Sequence, residues 1–231
     1  MGDERIKNKF CFPVRKLESD RFKLIPFMAE IHAQLAYDQG ATDPSAYAHV
    51  YRGPFSSVDE FVEKIIRVLE ETECAFAYAI IDKTKPSSAE DPDGAMVGMI
   101  SFTEGNVEAR AVEIGAVRIF PSHQGTGVAT LATRMLLDYA FAAPEEGGLG
   151  LLRVEWHSST ENPASITVAQ KLGFEAIGTV KYESCFVGRK ARGKVGNGRS
   201  LPPYCKADDV FRDFVMYAIY WDSRAPGGAK N

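Results

Sequence analysis

Residues 113–130 read Glu-Ile-Gly-Ala-Val-Arg-Ile-Phe-Pro-Ser-His-Gln-Gly-Thr-Gly-Val-Ala-Thr, and the other segments can be placed around this stretch. Its first half is rich in β-branched and apolar residues, Pro121 follows, and glycines then open a helical pattern. This order predicts a strand, a turn and a helix N-terminus. The first amides of a helix have no partner inside the helix and lie at the positive end of its dipole. Because glycines let an anion approach such amides closely, the stretch predicts a phosphate-binding site.

The glycines Gly125 and Gly127 are weak evidence alone, since the Lys-Ser/Thr pair of a Walker-type loop and the full dinucleotide fingerprint are both missing. However, the pattern Gln124-x-x-Gly127-x-Ala129 resembles the acetyl-CoA-binding motif of the GCN5-related N-acetyltransferases (the GNAT superfamily), in which this loop cradles the CoA diphosphate. The alternative is a glycine-loosened helix start without a ligand. The resemblance implies that acetyl-CoA, the co-substrate, contacts Val117, Arg118, Ile119, Gln124, Gly125, Thr126, Gly127, Val128, Ala129 and Thr130.

Length and composition limit the classes to which the protein can belong. The 231 residues suit one domain, and 45% hydrophobic with 25% charged residues is ordinary for a globular protein. A net charge of −4 argues against a nucleic-acid partner. The four cysteines form no Cys-x-x-Cys pair, so neither a metal site nor a dense disulfide framework is expected. No run approaches the roughly 18 apolar residues of a membrane span, and a cytoplasmic protein without a membrane partner is expected.

Apolar periodicity and turn residues divide the chain into alternating elements. One helix should begin near Pro26 and end by Gly40, carrying Met28, Ile31 and Leu35. A second should follow a capping box formed by Ser57 and Glu60, with Phe61, Ile65 and Leu69 on one face. Two further helices should run from Gly127 to before Pro144 and over 162–173. Strands are predicted at 10–17, 75–81, 95–102, 111–120, 151–157, 174–187 and 214–221.

This order matches the GNAT fold and predicts an α/β (α+β) protein. Its sheet should be mixed, mostly antiparallel and seven-stranded, flanked by helices on both sides. The strands at 75–81, 95–102 and 111–120 should form an antiparallel meander, and the strand at 151–157 should lie parallel to the one before the glycine loop. The expected domain layout is a flexible N-terminus at 1–9, one acetyltransferase domain at 10–223 with a basic insert at about 189–211, and a flexible tail at 224–231.

A second motif begins at Asn162-Pro-Ala-Ser165 and ends in Lys-Leu-Gly-Phe174. It resembles the RimJ/RimL-like branch of the superfamily, which acetylates protein N-terminal amines and a range of small amines. Asn162 before Pro163 is typical of a helix N-cap, whereas the resemblance implies a bond to the pantetheine arm, and one side chain can serve both roles. The resemblance also implies that Ser165 protonates the leaving thiolate, because the tyrosine of many relatives is replaced by Ala169. The acid is therefore Ser165, a water or no residue.

The attacking amine must lose a proton, and a carboxylate or a carboxylate-bound water can accept it. Glu113 resembles the general-base glutamate of the histone-acetyltransferase branch, although it could be a loop-facing charge without a catalytic role. Glu183 is the alternative, but it stands one residue from the matching position, and such an offset turns a strand side chain to the other face unless a bulge intervenes. His157 is a third candidate. The resemblance further implies that a backbone amide near Val117–Ile119 stabilises the oxyanion.

Two loops could border the acceptor site. The segment 41–54, together with Phe55, carries Tyr47 and Tyr51 and either covers the acceptor or packs as a surface loop. The insert is locally basic and could attract an acidic substrate, although a solvated mobile loop is the alternative reading. Its five basic residues are Arg189, Lys190, Arg192, Lys194 and Arg199.

The sequence thus predicts an acetyl-CoA-dependent N-acetyltransferase that transfers acetyl to a primary amine by direct attack in a ternary complex. Glu113 and Ser165 are the predicted catalytic residues, and Asn162 and Ser165 complete the predicted acetyl-CoA contacts. The acceptor is a small-molecule amine or a peptide N-terminus, and the protein is expected as a monomer or homodimer. The alternative is a catalytically weak CoA-binding sensor or scaffold protein.

Overall fold

An eight-stranded sheet organises the chain in a computed structural model that describes residues 9–41, 44–188 and 193–224. The strand order is β1-β2-β3-β4-β5-β6-β8-β7, and only the β5–β6 pair is parallel. The predictions for residues 1–8, for 225–231 and for Arg189, Lys190 and Arg192 lie outside the described residues. The strands are β1 Leu17–Glu18, β2 Phe22–Pro26, β3 Phe76–Asp82, β4 Ala95–Asn106, β5 Ala111–Ile119, β6 Arg153–Ser159, β7 Glu175–Phe186 and β8 Val210–Tyr220.

The sheet has eight strands rather than the predicted seven, and the prediction was wrong at its first edge. Residues 10–16 form no strand, and the predicted first strand contributes only Leu17 to the two-residue β1. β2 was missed because Pro26 suggested the first turn of a helix. Pro26 is instead the last residue of β2. The neighbouring strand β1 pairs only with Lys23 and Leu24 of β2, so Pro26 has no partner in β1 and its missing N–H costs no hydrogen bond to that strand.

Six α-helices and one π-helical turn, Val62–Ile66, occur among the described residues, together with three short 3-10 helices. The first predicted helix was confirmed over Ala29–Ala41, where Leu35 packs against the core together with the buried Ala33 and Ala36, while Met28 precedes the helix and, like Ile31, is exposed. The capping box was confirmed in part. Ser57 Oγ accepts from the Glu60 amide at 3.1 Å, but the Glu60 carboxylate reaches back to Ser56 instead. The helices are α1 Ala29–Ala41, α2 Val58–Phe61, α3 Arg67–Glu71, α4 Val128–Phe141, α5 Pro163–Lys171 and α6 Trp221–Arg224.

Two apolar cores cover the two faces of the sheet. The larger packs α4 and α5 against one face, with Leu136 and Trp156 among its buried residues. The smaller packs α1, α2 and the π-helical turn against the other face, around Phe61 and Ile66. The antiparallel meander β3-β4-β5 and the parallel β5–β6 crossover were both predicted correctly. The crossover leaves the N-terminus of α4 beside the carboxyl end of β5.

β5 and β6 separate soon after they meet. They pair only from Ala111 to Glu113, opposite Arg153 to Glu155. Beyond that point β5 carries one residue more than β4, and Ala116 at this bulge has a φ of +48°. A bulge bends its strand and re-aims the following residues. The second half of β5 therefore leaves β6, and a cleft opens between them.

Candidate active site

One cleft of about 1020 Å³ lies where β5 and β6 diverge. It runs from the glycine loop before α4, past Glu113 and α5, to the segment 45–55. All residues predicted to contact acetyl-CoA or to act in catalysis line this cleft, except Thr126. The Thr126 hydroxyl instead donates to the His123 carbonyl at 2.6 Å and stabilises the turn. The two motifs, which lie far apart in the sequence, thus meet at one surface.

The glycine loop exposes a helix N-terminus, as predicted. Gly125 and Gly127 have φ values of +73° and +86°, and a Cβ on either would meet no atom within 4 Å. Gly127 is the N-cap of α4 and provides no side-chain cap. The first backbone bond of the helix runs from Leu131 N–H to the Gly127 carbonyl at 3.0 Å. The preceding amides of α4 have no acceptor inside the helix and are available to an anion.

The residues of β5 alternate across the sheet. Val117 and Ile119 pack against the core beneath α4. Arg118 points to the opposite face, where its Nη2 donates to the Tyr47 hydroxyl at 2.7 Å. The guanidinium also lies 4.6 Å from the Tyr47 ring centroid and 5.7 Å from that of Phe61. The Arg118 side chain therefore lies on the side of the cleft away from α4, a placement that its motif alone did not indicate.

α5 begins as predicted, with Asn162 as its N-cap. The Asn162 side-chain oxygen accepts from the Ser165 amide at 3.1 Å, which leaves the side-chain amide donors available toward the cleft. Ser165 Oγ accepts from the Trp156 indole at 2.9 Å. This bond occupies an acceptor site of the hydroxyl and leaves its proton available. Thr167 also lines the cleft, but its hydroxyl donates to the Pro163 carbonyl at 2.7 Å.

Ala169, at the position for which the resemblance in sequence implies a tyrosine in many enzymes, is fully buried in the larger core and does not line the cleft. Ser165 and Val168 form the nearby wall of the cleft on α5. Among the cleft-lining residues of α5, Ser165 therefore carries the hydroxyl whose proton is not committed within the helix.

Glu113 lies in an electrostatically coupled group on one face of β5 and β6. Its carboxylate accepts from the Thr103 hydroxyl at 3.1 Å and lies 3.7 Å from His157 Nδ1. The Nε2 atom of His157 lies 3.3 Å from Glu155, which is held by Arg153 at 2.7 Å. Burial raises the pKa of Glu113, while His157 and Thr103 oppose that rise. A carboxylate with a raised pKa is a stronger proton acceptor, as general-base catalysis requires.

Glu183 also lines the cleft, because the bulge that the register argument named as its exception is present in β7. β7 carries two more residues than β8 between the pairs Val180–Phe214 and Ser184–Arg212. Tyr182 in this bulge has a φ of +55°, and its amide donates to Asp213 at 3.0 Å. The bulge breaks the alternation of the strand, and Glu183 lines the cleft. All three candidate bases, including His157, therefore lie on the same surface.

The segment 45–55 forms the end of the cleft away from the glycine loop. Tyr47, Tyr51 and Phe55 all line it, as the reading of this loop as an acceptor cover predicts. Phe61, Ile65 and Leu69 line the same end, although they were expected only as core residues. We call this region, with Arg118, the acceptor end.

The described part of the insert is held in place by internal contacts. Lys194 Nζ donates to the carbonyls of Tyr47 and Val50, at 3.0 Å each, and also bonds the Arg52 carbonyl. Arg199 pairs with Asp213 at 2.5 Å. Neither Lys194 nor Arg199 lines the cleft; Lys194 is buried, and the exposed Arg199 is neutralised by Asp213, so these two do not attract a substrate into the cleft as the basic reading of the insert suggested.

The described residues contain neither a membrane-spanning helix nor a cluster of metal-binding side chains. No helix there is long and apolar enough to cross a membrane. No group of three or more His, Cys, Asp or Glu side chains there is arranged to hold a metal ion.

Comparisons with known proteins agree with this geometry. The family model for the acetyltransferase (GNAT) domain matches residues 21–175. Spermidine N(1)-acetyltransferase of Escherichia coli (strain K12) is 26% identical over 137 residues, which cover 59% of this chain and 70% of that protein. A probable GNAT-family acetyltransferase from Chromobacterium violaceum ATCC 12472 has a similar structure, with a TM-score of 0.69, 24% identity, and coverage of 89% of this chain and 86% of that one.

A structure of spermidine N-acetyltransferase from Vibrio cholerae, in complex with CoA and spermine, is also similar. Its TM-score is 0.62 at 17% identity, with coverage of 88% of this chain and 97% of that one. At such identities the likeness concerns the fold. The RimJ/RimL-like branch predicted from the second motif is not among these relatives, which are spermidine acetyltransferases and a probable acetyltransferase.

Proposed function

Because this chain belongs to the GNAT acetyltransferase family, we propose that it transfers an acetyl group from acetyl-CoA to a primary amine. The observation that carries the proposal is the shared cleft, in which the free amides of α4 and the buried carboxylate of Glu113 lie on one continuous surface. An anion-binding helix end suits a diphosphate, and a carboxylate with a raised pKa suits an amine that must be deprotonated. The gap between β5 and β6 has room for an extended thiol arm.

Each of these residues has its own role in the proposed transfer. Acetyl-CoA supplies the acetyl group as a thioester. The amides after Gly127 bind its diphosphate, and the Asn162 side chain bonds the pantetheine arm. Glu113 accepts the proton of the amine, directly or through a water, as the new C–N bond forms. A backbone amide near Val117–Ile119 stabilises the charge that develops on the carbonyl oxygen. Ser165 or a water protonates the sulfur as the C–S bond breaks.

The acceptor class remains open within this proposal. Relatives that are named spermidine acetyltransferases make a polyamine one candidate. The second motif resembles the RimJ/RimL-like branch and makes a peptide N-terminus another. The acceptor end, where either class would bind, is lined by the segment 45–55 and belongs to the same cleft as Glu113.

A CoA-binding sensor or scaffold is the second candidate function. The observation that favours it is Ala169, whose burial leaves the α5 wall without the tyrosine of many GNAT enzymes. One experiment separates the two functions. Calorimetry with acetyl-CoA should register binding, and a thiol-release assay with a panel of amines should register turnover. Binding without turnover for any amine would support the scaffold, and no heat with acetyl-CoA would contradict both functions.

A further inference from the structure

We propose that the acceptor end selects an amine that also carries an anionic group, such as a carboxylate or a phosphate, and that Arg118 binds this group. The inference rests on the proposed function and specifies its acceptor. A polyamine, the substrate class in the names of the relatives, has the opposite charge pattern. The proposal therefore distinguishes this chain from those relatives.

The first evidence is the position of Arg118. Its guanidinium lies between the rings of Tyr47 and Phe61 and donates to the Tyr47 hydroxyl. Within the described chain, no carboxylate lies within 4.0 Å of it, and no acceptor other than Tyr47 is found. A guanidinium has five donors in a planar fork that matches a carboxylate or phosphate. Arg118 therefore presents a fixed, largely unused anion-binding group to the cleft.

Gly40 of α1 makes room for this position. A Cβ at Gly40 would overlap Arg118 Nη2 and come within 2.8 Å of the Tyr47 hydroxyl. The backbone φ of Gly40 is not in the left-handed region, so the glycine is explained by the space that the guanidinium occupies and not by a turn. This makes Gly40 a site from which Arg118 can be displaced without changing any charge.

Two buried cations beneath the segment 45–55 add to the positive potential. Arg212 is fully buried and donates to the carbonyls of Ala48, Val50 and Val195. Lys194 likewise bonds carbonyl oxygens there, and neither side chain forms an ion pair with a described carboxylate. Burial lowers the pKa of Lys194 to about 8 and that of Arg212 to about 10. At neutral pH both remain charged, so the acceptor end is positive although the chain carries −4 overall.

The acidic residues of the cleft are few. Of the described residues that line it, only Glu113 and Glu183 are acidic. If Glu113 serves as the base, one carboxylate remains to balance the further charges of a polyamine, while Arg118 repels them. Like charges brought together at a binding site are costly, whereas an anionic group would form a charge-assisted bond.

The spacing indicates where the anion lies in the acceptor. Glu113 and Arg118 are five residues apart on β5, about 16 Å along a regular strand. The bulge shortens this span, and the two side chains bridge part of it. The acceptor amine and its anionic group are therefore several bonds apart.

The test compares ε-aminocaproate with hexylamine, since the two have the same type of amine and differ by a carboxylate, and it includes spermidine. Thiol release from acetyl-CoA gives kcat/KM for each. We expect kcat/KM for ε-aminocaproate to exceed that for hexylamine by about tenfold or more, which is the effect that one hydrogen bond between charged groups usually has. Arg118→Gln should abolish this preference, measured as the ratio of the two kcat/KM values, because a change in acetyl-CoA binding affects both amines equally and cancels in the ratio. Arg134→Gln, on the exposed side of α4, is the matched control and should change neither.

Gly40→Ala gives a second route if Arg118→Gln folds poorly. It displaces the guanidinium, keeps every charge and favours the helix, so it should also reduce the preference. Turnover with equal values for the two probes, or a preference for spermidine, would overturn this inference and leave the proposed function standing. No thiol release with any amine would overturn the proposed function and the inference together.

Discussion

The Nδ1 atom of His157 lies 3.7 Å from Oε1 of Glu113, although the two residues come from different strands and are 44 positions apart in the sequence. The two strands are parallel and still paired at this point, since Glu113 stands opposite Glu155. The imidazole therefore lies between two carboxylates at the place where the cleft begins. The protonation of Glu113, the proposed base, therefore depends on the charge of His157.

Glu113→Gln should lower kcat/KM by about 10²- to 10⁴-fold, the usual contribution of a positioned general base. The burial that raises the pKa of Glu113 also predicts that the rate increases as pH rises through that pKa, and the amide variant should lose this limb of the profile. The measurement is the pH dependence of kcat/KM. Glu183→Gln is the matched control, since this carboxylate also lines the cleft. A lost limb in Glu183→Gln but not in Glu113→Gln would assign the base to Glu183.

His157→Asn should move the Glu113 limb to higher pH. The imidazole favours the charged form of Glu113, so its removal raises the pKa of that carboxyl further. At a pH within the shifted limb kcat/KM should fall several-fold, and it should recover as the pH increases. A pH-independent loss of rate would contradict this positioning role and point to His157 as the base itself.

Ser165→Ala should lower kcat by about 10²-fold, the lower end of what a positioned acid contributes. Its hydroxyl accepts from Trp156 and so has a proton to give. Thr167→Ala is the control on the same helix, because the Thr167 proton is already donated to the Pro163 carbonyl. Thr167→Ala should change kcat little. Equal effects of the two variants would mean that Ser165 has only a structural role.

Gly127→Ala should lower the free energy of unfolding by about 1–2 kcal/mol, because an alanine must adopt the left-handed φ of +86°. It should also raise the KM for acetyl-CoA, since the new methyl group projects into the open space beside the α4 amides. Chemical denaturation and steady-state kinetics measure the two effects. Gly178→Ala is the control, because a Cβ there also meets no atom within 4 Å but the φ is ordinary. An unchanged KM in Gly127→Ala would contradict a diphosphate site at this loop.

Asp213→Asn should lower the free energy of unfolding by about 1–2 kcal/mol at pH 7. Bonds from Arg199, Tyr182 and Asn197 hold the pKa of Asp213 down to about 2, below the ordinary 3.8. Because the folded-state pKa is depressed, this stability is present above pH 3.8 and is lost as pH falls through 2. The difference between wild type and variant should shrink over that interval. Asp208→Asn, which removes an exposed carboxylate of the same segment, is the matched control.

The local motifs were readable because their chemistry is local. The glycine loop, the Asn162 cap and the strand–helix order each depend on residues a few positions apart. The same locality explains the errors. Pro26 was predicted in a helix because proline is typical of a first helical turn. Its place at the end of β2 depends on which residues of β2 pair with β1 and β3, and that pairing is tertiary.

Glu183 shows which property of the site could not be predicted from the sequence. Its offset from the expected register was visible in the sequence, but the bulge that turns it into the cleft depends on Asp213 of the neighbouring strand. For Lys194 and Arg199, the sequence suggested a role at the cleft that the structure does not show. Their composition suggested a basic surface, whereas Lys194 is buried against the Tyr47 carbonyl and the exposed Arg199 is paired with Asp213.

The sequence by itself determined the family resemblance, the glycine loop before α4 and the set of candidate catalytic residues, because backbone conformation at glycines and helix caps is dictated by near neighbours. Only the tertiary structure decided which side chains share the cleft, which charges are buried and where Arg118 points. Those properties arise from strand register, bulges and long-range packing, in which each position depends on residues far away along the chain.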